Sequence, residues 1–294
     1  MGDNIKFATL ARAKVNLSLN ILGKRDDGYH ELESLVVFAD FGDYLELDCS
    51  NPLGLSIEGE FGHKIANTEN NLILQAAEKF KQYNPGLRLG HFHLKKDIPV
   101  AAGLGGGSSD AAAALRLLAK ANGISLTEPL LMDIAARLGA DVPVCIQSQP
   151  RFMSGIGEKL GAELQLPDLF CLLVNPQCAV ATANVFKALA ASPYQKHDVT
   201  DFKCETKVQF ITWLKVQKND LERPAISLKP VIQNVLSALS LTDAPQLVRM
   251  SGSGATCFAL YETWDQVLKA EQILKQQNPT WWIKSSTLNS VKTD

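Results

Sequence analysis

The sequence predicts an α+β chain folded as two domains, and three observations carry that expectation. At 294 residues the chain reaches the length at which a single core gives way to about two. Its amino-terminal part alternates apolar and polar residues in the manner of antiparallel strands, and helical and extended patterns then interleave to the end. Hydrophobic residues make up 46% and the mean hydropathy is -0.01, the balance of a globular protein with room for a substantial core.

Taken in order, Lys14 to Leu22 places Val15, Leu17, Leu19 and Ile21 on one face and Lys14, Asn16, Ser18 and Asn20 on the other. That is a half-buried strand whose polar face meets solvent. Asp27-Gly28 marks a hairpin turn, and Leu32 to Val37 and Tyr44 to Leu47 read as two further strands. Asn70 to Tyr83 has helical spacing and His91 to Lys95 is extended. A glycine-rich run then leads into a helix with Ala111, Ala114, Leu115, Leu118 and Ala121 on one face and Gly123 closing it. A second helix runs from a Thr127 cap through Pro129 to Gly139. Asp141 follows it directly, and Val142 is expected to be extended because Pro143 comes next.

Gly155-Ile156-Gly157 is the best candidate boundary, giving domains 1–154 and 155–294. Beyond it, Leu169 to Val174 is an apolar strand, and Thr182 begins a helix holding Val185 and Phe186. Leu228 to Leu239 makes another helix, interrupted early by Pro230. Gln246 to Met250 and Thr256 to Tyr261 flank Ser251-Gly252-Ser253-Gly254 as strand, loop and strand. A helix around Trp264 to Gln276 and a strand around Trp281 to Ser286 complete the pattern.

The chemistry concentrates in Gly103-Leu104-Gly105-Gly106-Gly107-Ser108-Ser109. Glycines let a backbone approach an anion closely, and the free N–H groups and dipole at a helix start favour phosphate there. Ser108 or Ser109 serves as N-cap or helps bind a nucleotide-bound magnesium ion, and Asp110 complements the helix dipole. The run is no Walker A loop, which needs a Lys before its Ser or Thr, and no dinucleotide fingerprint, which needs glycine where Ser108 stands. Asp141 sits near the negative end of a helix, which disfavours the carboxylate and suits a proton acceptor, although a nearby lysine would oppose this.

A net charge of -2 and a pI near 6.2, with no basic tract, argue against a nucleic-acid surface and for small partners. No stretch approaches a membrane span, and MGDNIKFATLARAK lacks the apolar core of a signal peptide, so a cytoplasmic protein without membrane contact is expected. The six cysteines are scattered without a CxxC pair, so neither a zinc site nor a disulfide framework is expected. His91 and His93 share a strand face but lack a third ligand, and read as a solvated face.

Collectively these residues resemble the GHMP kinase superfamily. Pro99 to Ser109 matches its phosphate loop, and Ala13 to Leu17, Leu138 to Pro143, Gly155 to Glu158, Asn219 to Leu221 and Ser251 to Ala255 follow in the expected order. Asp27-Gly28-Tyr29-His30 marks the members that act on a cytidyl group. The resemblance implies an amino-terminal domain with a left-handed βαβ unit, a ferredoxin-like carboxyl-terminal domain and an active site between them. It implies ATP-dependent phosphorylation of an alcohol on a small cytidyl diphosphate substrate, in the non-mevalonate route to isoprenoid precursors; a monomer or weak homodimer is expected.

Under the same resemblance Asp141 accepts or orients the hydroxyl proton and Lys14 holds Asp141. Pro99, Ala102, Gly103, Leu104, Gly105, Gly106, Gly107, Ser108 and Ser109 hold ATP and its magnesium ion, with Asn71 and Lys96 near adenine. Tyr29 stacks on cytosine, His30 meets its edge and Phe186 covers the other ring face. Asn16 and Thr182 hold the alcohol or diphosphate portion, and Gly252, Ser253 and Gly254 the substrate phosphates. Relatives often carry an aromatic residue and a glycine where Cys145 and Ser148 stand. The competing readings are a homoserine- or mevalonate-type kinase, which Asp27 to His30 opposes, and a non-catalytic nucleotide sensor, which the retention of both Lys14 and Asp141 opposes.

Overall fold

The computed structural model describes residues 5–65, 70–83, 85–189 and 204–289, so residues 1–4 of the amino-terminal stretch lie outside the described residues. In chain order the elements begin with β1 (Lys6–Asn16), β2 (Asn20–Lys24), β3 (His30–Asp48), β4 (Gly54–Glu58), α1 (Leu72–Tyr83) and β5 (His91–Lys95). Next come α2 (Gly106–Ala121), α3 (Pro129–Leu138), α4 (Val142–Gln147), β6 (Arg151–Gly155), β7 (Lys159–Glu163) and β8 (Leu169–Asn175). The chain continues through α5 (Thr182–Ala188), α6 (Lys207–Val216), α7 (Glu222–Leu228) and α8 (Val231–Ser240). It closes with β9 (Leu247–Met250), β10 (Cys257–Tyr261), α9 (Trp264–Gln277) and β11 (Trp282–Leu288).

Two compact units divide the chain, each assembled from several stretches: residues 1–14, 41–100 and 105–148 in the first, and 15–40, 101–104 and 149–294 in the second. In the first, β5 pairs in parallel with β4 and antiparallel with Tyr44 to Asp48 of β3. Parallel neighbours need a crossover, and α1 supplies it as a βαβ unit. Helix α2 is the centre of this unit: Ala111 to Leu115 and Leu117 to Ala119 are all buried, far more than one amphipathic face. The alanines explain this, since their small side chains let α1, α3 and α4 all approach. Gly123 (φ +65) ends the helix as expected, with the N–H of Ile124 bonded to the carbonyl of Ala119.

In the second unit β11, β8, β10 and β9 lie side by side in that order, each pair antiparallel. Strand, helices, hairpin, helix, strand with this order is the ferredoxin-like arrangement. One side of the sheet presents Leu172, Val174, Ala259 and Tyr261 to Ile232, Val235 and Leu239 of α8 and Val267 and Leu274 of α9 in one buried cluster. A capping box at Thr263 and Gln266 fixes where α9 starts. The Gly155-Ile156-Gly157 run forms the tight turn between β6 and β7.

Several expectations are corrected. The two strands foreseen at Leu32 and Tyr44 are one 19-residue strand, β3. The polar residues Lys14, Asn16 and Ser18 are buried, not solvated, because each finds a polar partner inside the protein. Strand β1 also starts earlier, at Lys6, and ends at Asn16. Thr127 does not cap α3, whose N-cap is Glu128; the Thr127 hydroxyl bonds Ser125 instead. Val142 is helical despite Pro143, since a proline is tolerated in the first turn and here opens α4.

Candidate functional site

The expected site residues fall into two groups, one in each unit. Lys14, Asn71, Lys96, Pro99, Gly105, Gly106, Gly107, Ser108, Ser109 and Asp141 belong to the first; Asn16, Tyr29, His30, Ala102, Gly103, Leu104, Thr182, Phe186, Gly252, Ser253 and Gly254 belong to the second.

In the first unit, Lys14 Nζ lies 2.7 Å from Asp141 Oδ2. The lysine side chain is 4% exposed and the aspartate 38%, so a buried cation holds a carboxylate that still reaches solvent. The helix end foreseen as disfavouring that carboxylate is answered by this ammonium, and Asp141 is itself the N-cap of α4. Gly105 caps α2 with φ +63, and a Cβ there would sit 3.0 Å from Lys14 Cε. The left-handed backbone favours glycine, and a Cβ would also press on the buried Lys14 stem. The unit thus brings together a carboxylate, a cation and the open N-terminus of a 16-residue helix. These are the parts needed to take a proton beside a bound phosphate.

Neither serine caps α2, because the helix starts before them at Gly106. Ser109 Oγ donates to the carbonyl of Arg12 at 2.7 Å and contacts Cys145 Sγ at 3.4 Å, so it fastens the helix to β1, while Ser108 stays half-buried. Asp110 is no surface partner of the helix dipole. Lys96 Nζ lies 2.5 Å from both Asp110 Oδ2 and Asp43 Oδ2, all three residues being buried. Burial pushes the Asp110 carboxyl up to about 8, while Lys96 pulls the other way. Burial also pulls the Lys96 ammonium down, but Asp110 and Asp43 outweigh it and the net shift is upward. Asp43 Oδ1 accepts from the N–H groups of Asp97 and Ile98, which ties the chain just before buried Pro99 to the same cluster. The Lys96 ammonium foreseen near adenine is therefore committed inside the unit. Asn71 caps α1 through Oδ1, which accepts from the N–H of Ile73.

In the second unit, Ser251 Oγ accepts from the N–H of Asn16 and donates to the carbonyl of Gly103, and the Thr256 N–H bonds the carbonyl of Ala102. Leu104 is buried beside this contact. Gly103 (φ +76) allows no side chain, since a Cβ would meet the Ser251 carbonyl at 2.4 Å. Gly252 (φ +54) and Gly254 (φ +84) adopt the left-handed region that a tight loop needs. Asn16 Nδ2 donates to Ser34 Oγ, and among the described residues buried Asn16 Oδ1 has no partner; it lies 3.1 Å from where a Gly252 Cβ would be. Thr182 Oγ1 and Ser253 Oγ share a 2.8 Å bond.

The His30 and Phe186 rings meet with centroids 5.3 Å apart, and Tyr29 is 60% exposed, an open ring rather than a core residue. Burial, then the charge of Lys24, lowers the His30 pKa and favours the neutral imidazole. Ser148 has φ +52, which explains why glycine suits that position, and Cys145 is wholly buried against Ser109. Of the histidine pair, His91 bonds Ser56 through Nε2, and no cluster that could hold a metal occurs among the described residues.

The models for the GHMP kinases N terminal domain and the GHMP kinases C terminal match residues 71–149 and 210–280. A 4-diphosphocytidyl-2-C-methyl-D-erythritol kinase of Rhodopseudomonas palustris (strain BisA53) is 46% identical over 288 residues, covering 95% of this chain and 96% of its own. The crystal structure of a 4-(cytidine 5'-diphospho)-2C-methyl-D-erythritol kinase superposes with a TM-score of 0.77 at 31% identity, covering 97% of this chain and 100% of its own. The chain belongs to the 4-diphosphocytidyl-2-C-methyl-D-erythritol kinases of the GHMP kinase family. A homoserine kinase from Cytophaga hutchinsonii shares this GHMP kinase fold with a TM-score of 0.68, covering 98% of this chain and 96% of its own, but at 17% identity the likeness extends to fold alone. Among the described residues no helix is long and apolar enough to cross a membrane.

Proposed function

We infer that the chain transfers the γ-phosphoryl group of ATP to the 2-hydroxyl of 4-diphosphocytidyl-2-C-methyl-D-erythritol, in the cytoplasm, on the non-mevalonate route to isoprenoid precursors. Membership of the family carries the use of ATP. The observation that supports the chemistry is the Lys14–Asp141 pair, 2.7 Å apart and packed against the glycine that opens α2.

Phosphoryl transfer depends on placing the hydroxyl in line and offsetting charge on the moving group. The glycine run from Gly103 and the start of α2 hold the ATP phosphates through backbone N–H groups. Magnesium arrives with the nucleotide and offsets phosphate charge; Ser108 is the hydroxyl of that turn suited to it, since Ser109 is spent on Arg12. Asp141 orients the 2-hydroxyl and accepts its proton, and Lys14 fixes Asp141 and balances the charge that develops. A positioned base is worth about 10²- to 10⁴-fold in rate.

For the cytidyl group, Tyr29 offers an exposed ring for stacking. Neutral His30 can both donate and accept at the base edge, and Phe186, whose ring centroid lies 5.3 Å from that of His30, covers the other face of the cytosine ring. The unpartnered Asn16 Oδ1 is an acceptor, so it suits a hydroxyl of the alcohol rather than the diphosphate, which offers no proton. Thr182 and the Gly252 to Gly254 loop bind the phosphate portion. The test is a coupled ATP assay comparing the cytidyl alcohol, mevalonate and homoserine. Turnover of the first alone is expected; preference for either other alcohol, or no turnover of any, would overturn the reading.

A further inference from the structure

Asn219 lies between α6 and α7, where the chain makes an isolated bridge to Leu19, and only 7% of it is exposed. Its side chain makes three bonds. Nδ2 donates to the carbonyls of Met250 and Gly252, each at 2.8 Å, and Oδ1 accepts from the N–H of Leu221 at 3.0 Å. The partners settle which end is which: two carbonyls call for the NH₂ group, and one N–H calls for the oxygen. One end of the amide caps the turn into α7 and the other grips the loop that follows β9.

That grip has a directional consequence. The Gly252–Ser253 peptide is trans, so its carbonyl and N–H lie in one plane and point in opposite directions. With the carbonyl held by Asn219, the Ser253 N–H is aimed away from Asn219, and among the described residues it has no acceptor. Beyond Asn219, the Gly254 N–H bonds the Ser251 carbonyl and closes the turn around this peptide, and the Ser251 and Ser253 hydroxyls tie the loop on either side, while the Gly252 carbonyl itself is held by Asn219. Rotating the plane by half a turn would bury the N–H and present a carbonyl oxygen, which repels an anion.

We propose that Asn219 is a positioning residue for the phosphoryl-transfer reaction, holding the Gly252–Ser253 peptide so that the Ser253 N–H donates to a phosphate oxygen of the cytidyl diphosphate substrate. This rests on the proposed substrate reading, and the two fail separately. Wild-type turnover of the cytidyl alcohol decides the substrate, and the Asn219 variants decide the grip.

N219D isolates the donor function, because a carboxylate still caps Leu221 but meets the two carbonyls with an acceptor. For N219D, kcat/KM for the cytidyl substrate is expected to fall on the order of 100-fold, the scale of a misplaced positioning group, with KM for ATP within about threefold of wild type. N219A, which leaves the carbonyls unheld without repelling them, should fall less. Lowering the pH should bring N219D back toward wild type as its carboxyl gains a proton and can donate to one carbonyl, a recovery that a packing defect would not give. If N219D fails to fold, N219A is judged by the same ratio of substrate to ATP effects. Cytidyl-substrate kinetics within threefold of wild type in a folded variant, equal losses for both substrates, or no recovery at low pH would overturn the assignment.

Discussion

The Lys14–Asp141 pair is asymmetric, and that asymmetry makes a quantitative prediction. Lys14 is 4% exposed and Asp141 38%. Removing one partner of a fully buried pair costs about 3–5 kcal/mol, because the other is left as an uncompensated charge. D141A strands the buried ammonium, so it should approach that range, discounted to about 2–3 kcal/mol for the solvent that reaches the site. K14M leaves a carboxylate that recovers hydration and fills the lysine stem's space, and should cost no more than about 1 kcal/mol. For a chain of this size each kcal/mol moves Tm by about 2–4 °C, so D141A should melt at least about 4 °C below wild type and K14M clearly less. Differential scanning calorimetry of both variants at pH 7 checks this, with D141N as a control that keeps an acceptor for Lys14. Equal losses, or a larger loss for K14M, would show that the ammonium does not depend on Asp141.

Three other outcomes are expected. G105A should lose about 1–2 kcal/mol from the left-handed backbone alone, and its Cβ, 3.0 Å from Lys14 Cε, should lower kcat as well; unchanged kcat would detach Gly105 from the pair. Y29A should weaken the cytidyl substrate by about 1–3 kcal/mol while leaving Tm and ATP affinity in place, since the ring is exposed and fitted for stacking; equal losses for ATP and substrate would contradict it. Burial raises the Asp110 carboxyl from near 3.8 toward about 8, against the pull of Lys96, so the stability linked to its proton is full below about pH 4 and falls as pH rises from there through about 8. D110N should flatten the fall in Tm across that window, and an unchanged slope would show that Asp110 does not carry it.

Much of this was legible where local chemistry and final structure agree. The glycine run, the helix after it, β8 to β11 and the loop between β9 and β10 follow from turn residues and periodicity because they are locally determined. The polar face of Lys14, Asn16 and Ser18 was misread as solvated because alternation reports only that two faces differ. What covers the polar face is set by Asp141, Ser34 and Leu35, residues 17 to 127 positions away. The same distance hid the Asp43–Lys96–Asp110 cluster, although one signal was present: an aspartate inside a run of alanines and leucines has no polar face to join. Asn219 was noticed only as part of a motif, because its meaning lies in two carbonyls about 30 residues later. Helix α4 was missed because the conformational bias against helix before a proline is weaker than the tertiary burial of Val142 to Ile146.

Asp141 is proposed to handle the proton of a cytidyl alcohol facing bound ATP. Single-turnover phosphoryl transfer in D141N, with ATP and the cytidyl substrate both saturating, tests it most directly. The chemical step is expected to slow about 10²- to 10⁴-fold with ATP binding retained. A step within a few-fold of wild type would contradict it.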